Sequence, residues 1–97
     1  MHDVTRIEIV IDSLEADALL AALERVGVSD YTAVKGVFGK GSRGTRGGDP
    51  FSGVFDNTMV LVAVDPSLTD AVVDAVRPLL KSRGGLCLVS DAKSVAH

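Results

Sequence analysis

Residues 36–56, GVFGKGSRGTRGGDPFSGVFD, carry the side chains in this chain best suited to chemistry. Gly39, Gly41, Gly44, Gly47 and Gly48 let the backbone come close to a ligand and reach positive φ. Lys40, Arg43 and Arg46, with Lys35 just ahead, place positive charge before the first acid, Asp49, and Ser42 adds a hydroxyl. Glycine turns rich in free N–H groups, combined with arginine and lysine, form a cradle for an anion, most often a phosphate. The arginines would bind it bidentately and the serine by a single O–H. The spacing is not that of a Walker A loop, since Gly36 and Gly39 stand too close and Gly41 follows Lys40 directly. Read from the residues alone, a solvated Gly/Arg loop without a ligand is the competing explanation.

A second basic group, Lys81-Ser82-Arg83-Gly84-Gly85, follows a helical pattern. It could form another phosphate wall. It could equally be a helix end, because basic residues in a last turn followed by glycine are what such an end requires. The two roles are compatible: capping uses the glycine backbone and leaves the basic side chains free.

The rest of the chain bounds what these groups can serve. With 97 residues, 46% hydrophobic and 24% charged, it reads as one globular domain with a modest core. Its net charge of −3 argues against general nucleic-acid binding. In residues 1–30 seven acids face only Arg6 and Arg25, so the bases gather in the long connection and around the second turn. That distribution points to a confined anionic ligand. Cys87 is the single cysteine, which excludes an internal disulfide and a multi-cysteine zinc site. It reads as a small buried hydrophobe. His2 and His97 stand at the chain ends, and no metal site is expected. Without an apolar run of membrane length or a signal-peptide layout at the N-terminus, a cytoplasmic location is expected.

Four strands and two helices must position the two basic groups. Residues 4–11 alternate, with Ile7, Ile9 and Ile11 on one face. Asp12 or Ser13 caps a helix with Glu15 and Asp17 in its first turn, a stripe of Ala16, Leu19, Leu20, Leu23 and Val26, and Gly27 as its end. Residues 31–35 form the second strand and lead into the connection 36–56, whose length of about 20 residues marks it as functional. Asn57–Val64 is apolar on both faces and belongs in the middle of a sheet or at a subunit contact. Ser67 is expected to cap a second helix, with Asp70 completing a capping box and Leu68, Val72, Ala75, Val76 and Leu79 as the core stripe. Pro78 predicts a kink or an early last turn. Residues 86–90 form the fourth strand and 91–97 a short tail of about one helical turn. Two βαβ halves, echoing each other in VIDSLEADALL and VDPSLTDAVV, predict an α+β, ferredoxin-like βαββαβ domain. Helices cover one face of its four-stranded antiparallel sheet. Val10, alternate residues of 57–64, and Leu86 or Leu88 occupy the other, so an oligomer is expected.

Two other functions can be weighed on residues. A small phosphate-handling enzyme, acylphosphatase-like or a weak nucleotide hydrolase, would need an asparagine or a base beside the anion. The only asparagine, Asn57, stands at the loop's end, and the loop offers only Asp49 and Asp56 as bases. Single-stranded RNA binding fails because the strands lack the aromatic side chains on which bases stack. Phe38, Phe51 and Phe55 form either a patch for a protein partner or a set of anchors that pack back on the domain.

The stretch YTAVKGVFGKGSRG, the long connection after the second strand and the basic Gly-Gly turn before the fourth together resemble the PII-like signalling proteins. The likeness runs from about Val4 to the C-terminus and is greatest to the carboxysome-associated branch. It implies a homotrimer with the bare sheet faces turned inward and adenine nucleotide in the clefts between subunits. Residues 36–56 would be the T-loop and 81–85 the B-loop. Gly39, Lys40, Gly41, Ser42, Arg43, Arg46, Lys81, Arg83, Gly84 and Gly85 would contact the nucleotide. Such a protein is a regulator and not an enzyme, and orders or releases its T-loop for a protein partner of carbon uptake or the carboxysome. The chain departs from the nitrogen-sensing branch: Tyr31, its only tyrosine, lies on a strand, it has no glutamine, and Leu86 replaces the usual lysine. These departures argue against uridylylation and 2-oxoglutarate sensing. They favour ADP or AMP over ATP, with cyclic AMP also in range and bicarbonate as a second ligand.

Overall fold

The computed structural model describes residues 1–37, 39–41, 44–46 and 56–97. Strand β1 (His2–Asp12) leads through a 3₁₀ turn, Ser13–Glu15, into helix α1 (Ala16–Arg25) and strand β2 (Thr32–Val37). Two short strands follow, β3 (Gly39–Gly41) and β4 (Gly44–Arg46). Strand β5 (Asn57–Val64) then leads through a second 3₁₀ turn, Pro66–Leu68, into α2 (Thr69–Arg83) and strand β6 (Leu86–Ser94).

The main sheet has the order β2-β5-β1-β6. All three pairings are antiparallel, which is the ferredoxin-like arrangement expected. The alternation of β1 fixes its faces: Thr5, Ile7, Ile9 and Ile11 are buried, while Arg6 between them is exposed. Across the ladder Ile7 pairs with Val62 and Ile9 with Val60, so the apolar residues of both strands share one face. Leu19 and Leu23 of α1 and Val72 and Val76 of α2 close over that face and complete the core. β5, apolar on both sides, lies in the interior of the sheet as its composition requires. On the helix-free face Val10 pairs with Met59 and Leu86, and Glu8 with Leu61 and Leu88. Leu86 and Leu88 are exposed there.

Three local expectations are corrected. Residues 91–97 are not a helical tail: β6 continues to Ser94 and pairs with β1 as far as His2, aided by a 2.6 Å ion pair between Lys93 and Asp3. Ser67 does not cap the second helix. Asp65 Oδ1 accepts from the Ser67 N–H at 2.9 Å and starts the 3₁₀ turn from which α2 continues. Asp12 does the same for the first helix, accepting from Leu14 N–H at 2.9 Å, so the echo between the halves is a shared Asx turn. Finally, of the two outcomes expected at Pro78, a kink or an early last turn, the early ending is not what occurs, since α2 runs on to Arg83. Pro78 is exposed, so water can satisfy the carbonyl that loses its helical partner.

Candidate functional site

The β order brings both basic connections to one end of the sheet. Val37, the last residue of β2, pairs with Asn57 at the start of β5, and Asn57 pairs in turn with Asp12 at the end of β1. Beyond β1, Val10 pairs with Leu86, the first residue of β6, so the turn 84–85 enters the sheet here too. With neighbouring strands about 4.8 Å apart, the entry of the long connection and the second basic turn are separated by roughly 14 Å.

The long connection begins with an irregularity. The register of β2 against β5 shifts between Lys35 and Val37, and Gly36 takes a φ of 77° there, which a side chain would oppose. Gly39, Lys40 and Gly41 form β3, antiparallel to β4, with Gly39 opposite Arg46 and Gly41 opposite Gly44. A hairpin therefore occupies part of the stretch read as one loop. Ser42 and Arg43 lie outside the described residues, as do Phe38, Asp49, Phe51 and Phe55.

The second basic turn is set by the end of α2. Gly84 N–H donates to Leu80 C=O at 2.7 Å, and Gly84 and Gly85 take φ values of 79° and 135°. A Cβ on Gly85 would lie 2.5 Å from the Val10 carbonyl oxygen, so the backbone passes β1 too closely for any side chain. The glycines thus do end the helix. Lys81 is exposed. Arg83 is engaged: its Nε lies 3.3 Å from Glu15 Oε1 and its Nη1 3.8 Å from Asp12 Oδ2. Ser82 Oγ is 3.4 Å from the same Glu15 oxygen.

The turn that opens α1 holds the other basic connection as well. Ser13 N–H donates to the carbonyl of Asp56 at 3.1 Å, and the Ser13 and Thr58 hydroxyls are 2.8 Å apart. Sequence reasoning gave Glu15 only a helix-dipole role and Ser13 only a possible capping role. Their signal was topological: a split βαβ order puts the start of α1, the start of β5 and the end of α2 at one end of the sheet. Cys87 is half-buried on β6, and burial raises its thiol pKa, as fits a packing residue. Among the described residues, no group of three or more His, Cys, Asp and Glu is placed to hold a metal ion. Also among them, no helix is long and apolar enough to cross a membrane.

A ferredoxin-like sheet with two glycine-rich basic connections at one end defines a loop-bearing domain of the PII type. Residues 4–96 match the family model described as nitrogen regulatory protein P-II, and the chain belongs to that family. Solved structures agree. The PII-like protein CPII from Thiomonas intermedia K12, bound to ADP, AMP and bicarbonate, superposes with a TM-score of 0.81 at 26% identity, covering 94% of this chain and 87% of that one. The same protein bound to ADP and bicarbonate gives 0.81 at 25% identity with the same coverage. GlnK of B. subtilis, in complex with ATP, gives 0.70 at 19% identity over 95% and 84% of the two chains, and so shares the fold. No curated protein matches the sequence.

Proposed function

We propose that this protein is a PII-like regulator that binds an adenine nucleotide, ADP or AMP by preference, in clefts between the subunits of a trimer. The observation that carries the proposal is the likeness to CPII, whose structure holds ADP, AMP and bicarbonate. The convergence of Lys35, the entry of the long connection and the turn 81–85 on one end of the sheet supports it, because a nucleotide has a phosphate end that such donors suit. Gly39, Lys40, Gly41, Ser42, Arg43 and Arg46 form one wall of the phosphate site. Lys81, Arg83, Gly84 and Gly85 form the other.

In the trimer the helix-free faces turn inward. Met59 and Leu61 with the exposed Leu86 and Leu88 give them enough apolar surface to require cover. Nucleotide binding orders the stretch 36–56 for a protein partner, bicarbonate is the second ligand, and the signal serves inorganic-carbon metabolism at the carboxysome. The protein acts by binding and not by turnover.

Calorimetric titration of the purified chain with AMP, ADP, ATP and cyclic AMP, each with and without bicarbonate, tests this directly. Micromolar binding of ADP or AMP is expected. Analytical ultracentrifugation of the same sample should show a single species of three chains, and a stable monomer would refute the trimeric cleft.

A further inference from the structure

Arg83 stands where a phosphate-binding arginine of the second turn is needed, yet its guanidinium is turned onto two carboxylates of its own chain. The contacts are loose. The Nε–Glu15 distance of 3.3 Å and the Nη1–Asp12 distance of 3.8 Å exceed the roughly 2.7–2.9 Å of a good charge-assisted hydrogen bond. Arg83 engages each carboxylate through a single nitrogen, so neither pair has the fork geometry that makes arginine–oxyanion pairs strong. About half of the Arg83 side chain, 48%, faces solvent, whereas Glu15 and Asp12 are more enclosed at 19% and 17%. The arginine can swing out while the carboxylates stay.

We propose that Glu15, assisted by Asp12, is a built-in competitor for the ligand, which must draw Arg83 off these carboxylates before its phosphate can use the guanidinium. This rests on the nucleotide-binding reading above and deepens it. The two acids carry one more negative charge than Arg83 neutralises. The freed carboxylates then stand beside the incoming phosphate, and the penalty grows with the ligand's phosphate charge. Glu15 thus lowers affinity overall and disfavours ATP relative to AMP. Asp12 has a second duty, accepting the Leu14 N–H that starts the 3₁₀ turn. Glu15 has no such backbone role and is the position to change.

The test is calorimetry with AMP, ADP and ATP on four full-length proteins: the natural chain, Glu15→Gln, Arg83→Gln and the double variant. Glutamine keeps the shape of Glu15 at a surface turn, and a thermal melt of each protein checks its fold. Glu15→Gln is expected to tighten ADP about two- to fivefold, the range set by an exposed ion pair, and to tighten ATP more than AMP. Arg83→Gln is expected to weaken ADP. Glu15→Gln should gain less in the Arg83→Gln background than in the natural chain, because competition for the guanidinium is gone there and only the repulsion by the carboxylate is left to relieve. Unchanged or weaker ADP binding by a folded Glu15→Gln protein overturns the inference and leaves nucleotide binding intact. So does a gain that survives undiminished in the double variant, which would mean charge repulsion without competition. No binding by any of the four overturns the nucleotide reading, and this inference with it.

Discussion

Ser13 donates its backbone N–H to the carbonyl of Asp56 at 3.1 Å, joining the turn that opens α1 to the last residue of the long connection. The same turn holds Arg83 through Asp12 and Glu15. One three-residue turn, Ser13–Glu15, together with Asp12 therefore touches both basic connections.

The first expectation follows from the side chain of that serine. Its hydroxyl lies 2.8 Å from the hydroxyl of Thr58, which is only 3% exposed. Ser13→Ala would leave a buried hydroxyl without this partner and should cost about 1–2 kcal/mol in urea unfolding. Thr58→Val removes the other half, so the double variant should cost less than the sum of the singles. Strict additivity would show that the two hydroxyls do not interact.

Glycine substitutions should separate two kinds of backbone demand. Gly27 has a φ of 98° with open space around its missing Cβ, so Gly27→Ala should cost about 1 kcal/mol for the dihedral alone. At Gly85 a φ of 135° is joined by a Cβ position 2.5 Å from the Val10 oxygen. Gly85→Ala should cost clearly more, about 3 kcal/mol, and shift the start of β6 away from β1. Equal melting temperatures for the two variants would contradict the close approach of the turn to β1.

Much of the fold was legible because its signals are local. Ile7, Ile9 and Ile11 alternate, β5 is apolar on both faces, and Leu19 with Leu23 and Val72 with Val76 stand one helical turn apart. The strand at 91–94 was not legible, since Asp-Ala-Lys-Ser has poor strand propensity and is held by pairing with β1. The cap at Asp65 was not legible because Pro66 separates it from the helical pattern, whereas Asp65 and Pro66 together begin the turn. In the site, the nearness of the two basic connections followed from the element order. The grip of Glu15 on Arg83 did not, because it spans 68 residues and no local pattern encodes it.

Asp65 carries a pH dependence of known sign. Its carboxylate accepts a hydrogen bond from the Ser67 backbone N–H, with a lesser contribution from the Ser67 side chain, and these hold its pKa below the ordinary carboxylate range. A lowered folded pKa means that the ionised form adds stability above that range and loses it as pH falls through the folded value. Asp65→Asn keeps an acceptor at the cap and removes the charge. Its melting temperature should therefore vary less between pH 5 and pH 2 (a window of about three units around the carboxylate range) than that of the natural chain. An identical acid limb would show that the cap does not depend on ionisation.

Cys87 provides a probe of packing on β6. Burial raises its thiol pKa in the folded chain, so the thiolate is scarcer there than in the unfolded chain at mildly alkaline pH. Alkylation by iodoacetamide should accelerate markedly when the protein is unfolded in urea. Equal rates in the two states would place the thiol in water.

The measurement that bears most directly on the function is titration of the full chain with ADP, alone and with bicarbonate, alongside Arg46→Ala. Micromolar binding that weakens about tenfold or more in the variant, as loss of a charge-assisted phosphate contact requires, is the expected result. Absence of heat and of any thermal shift with ADP, AMP, ATP and cyclic AMP would contradict nucleotide sensing and leave a PII fold serving another ligand.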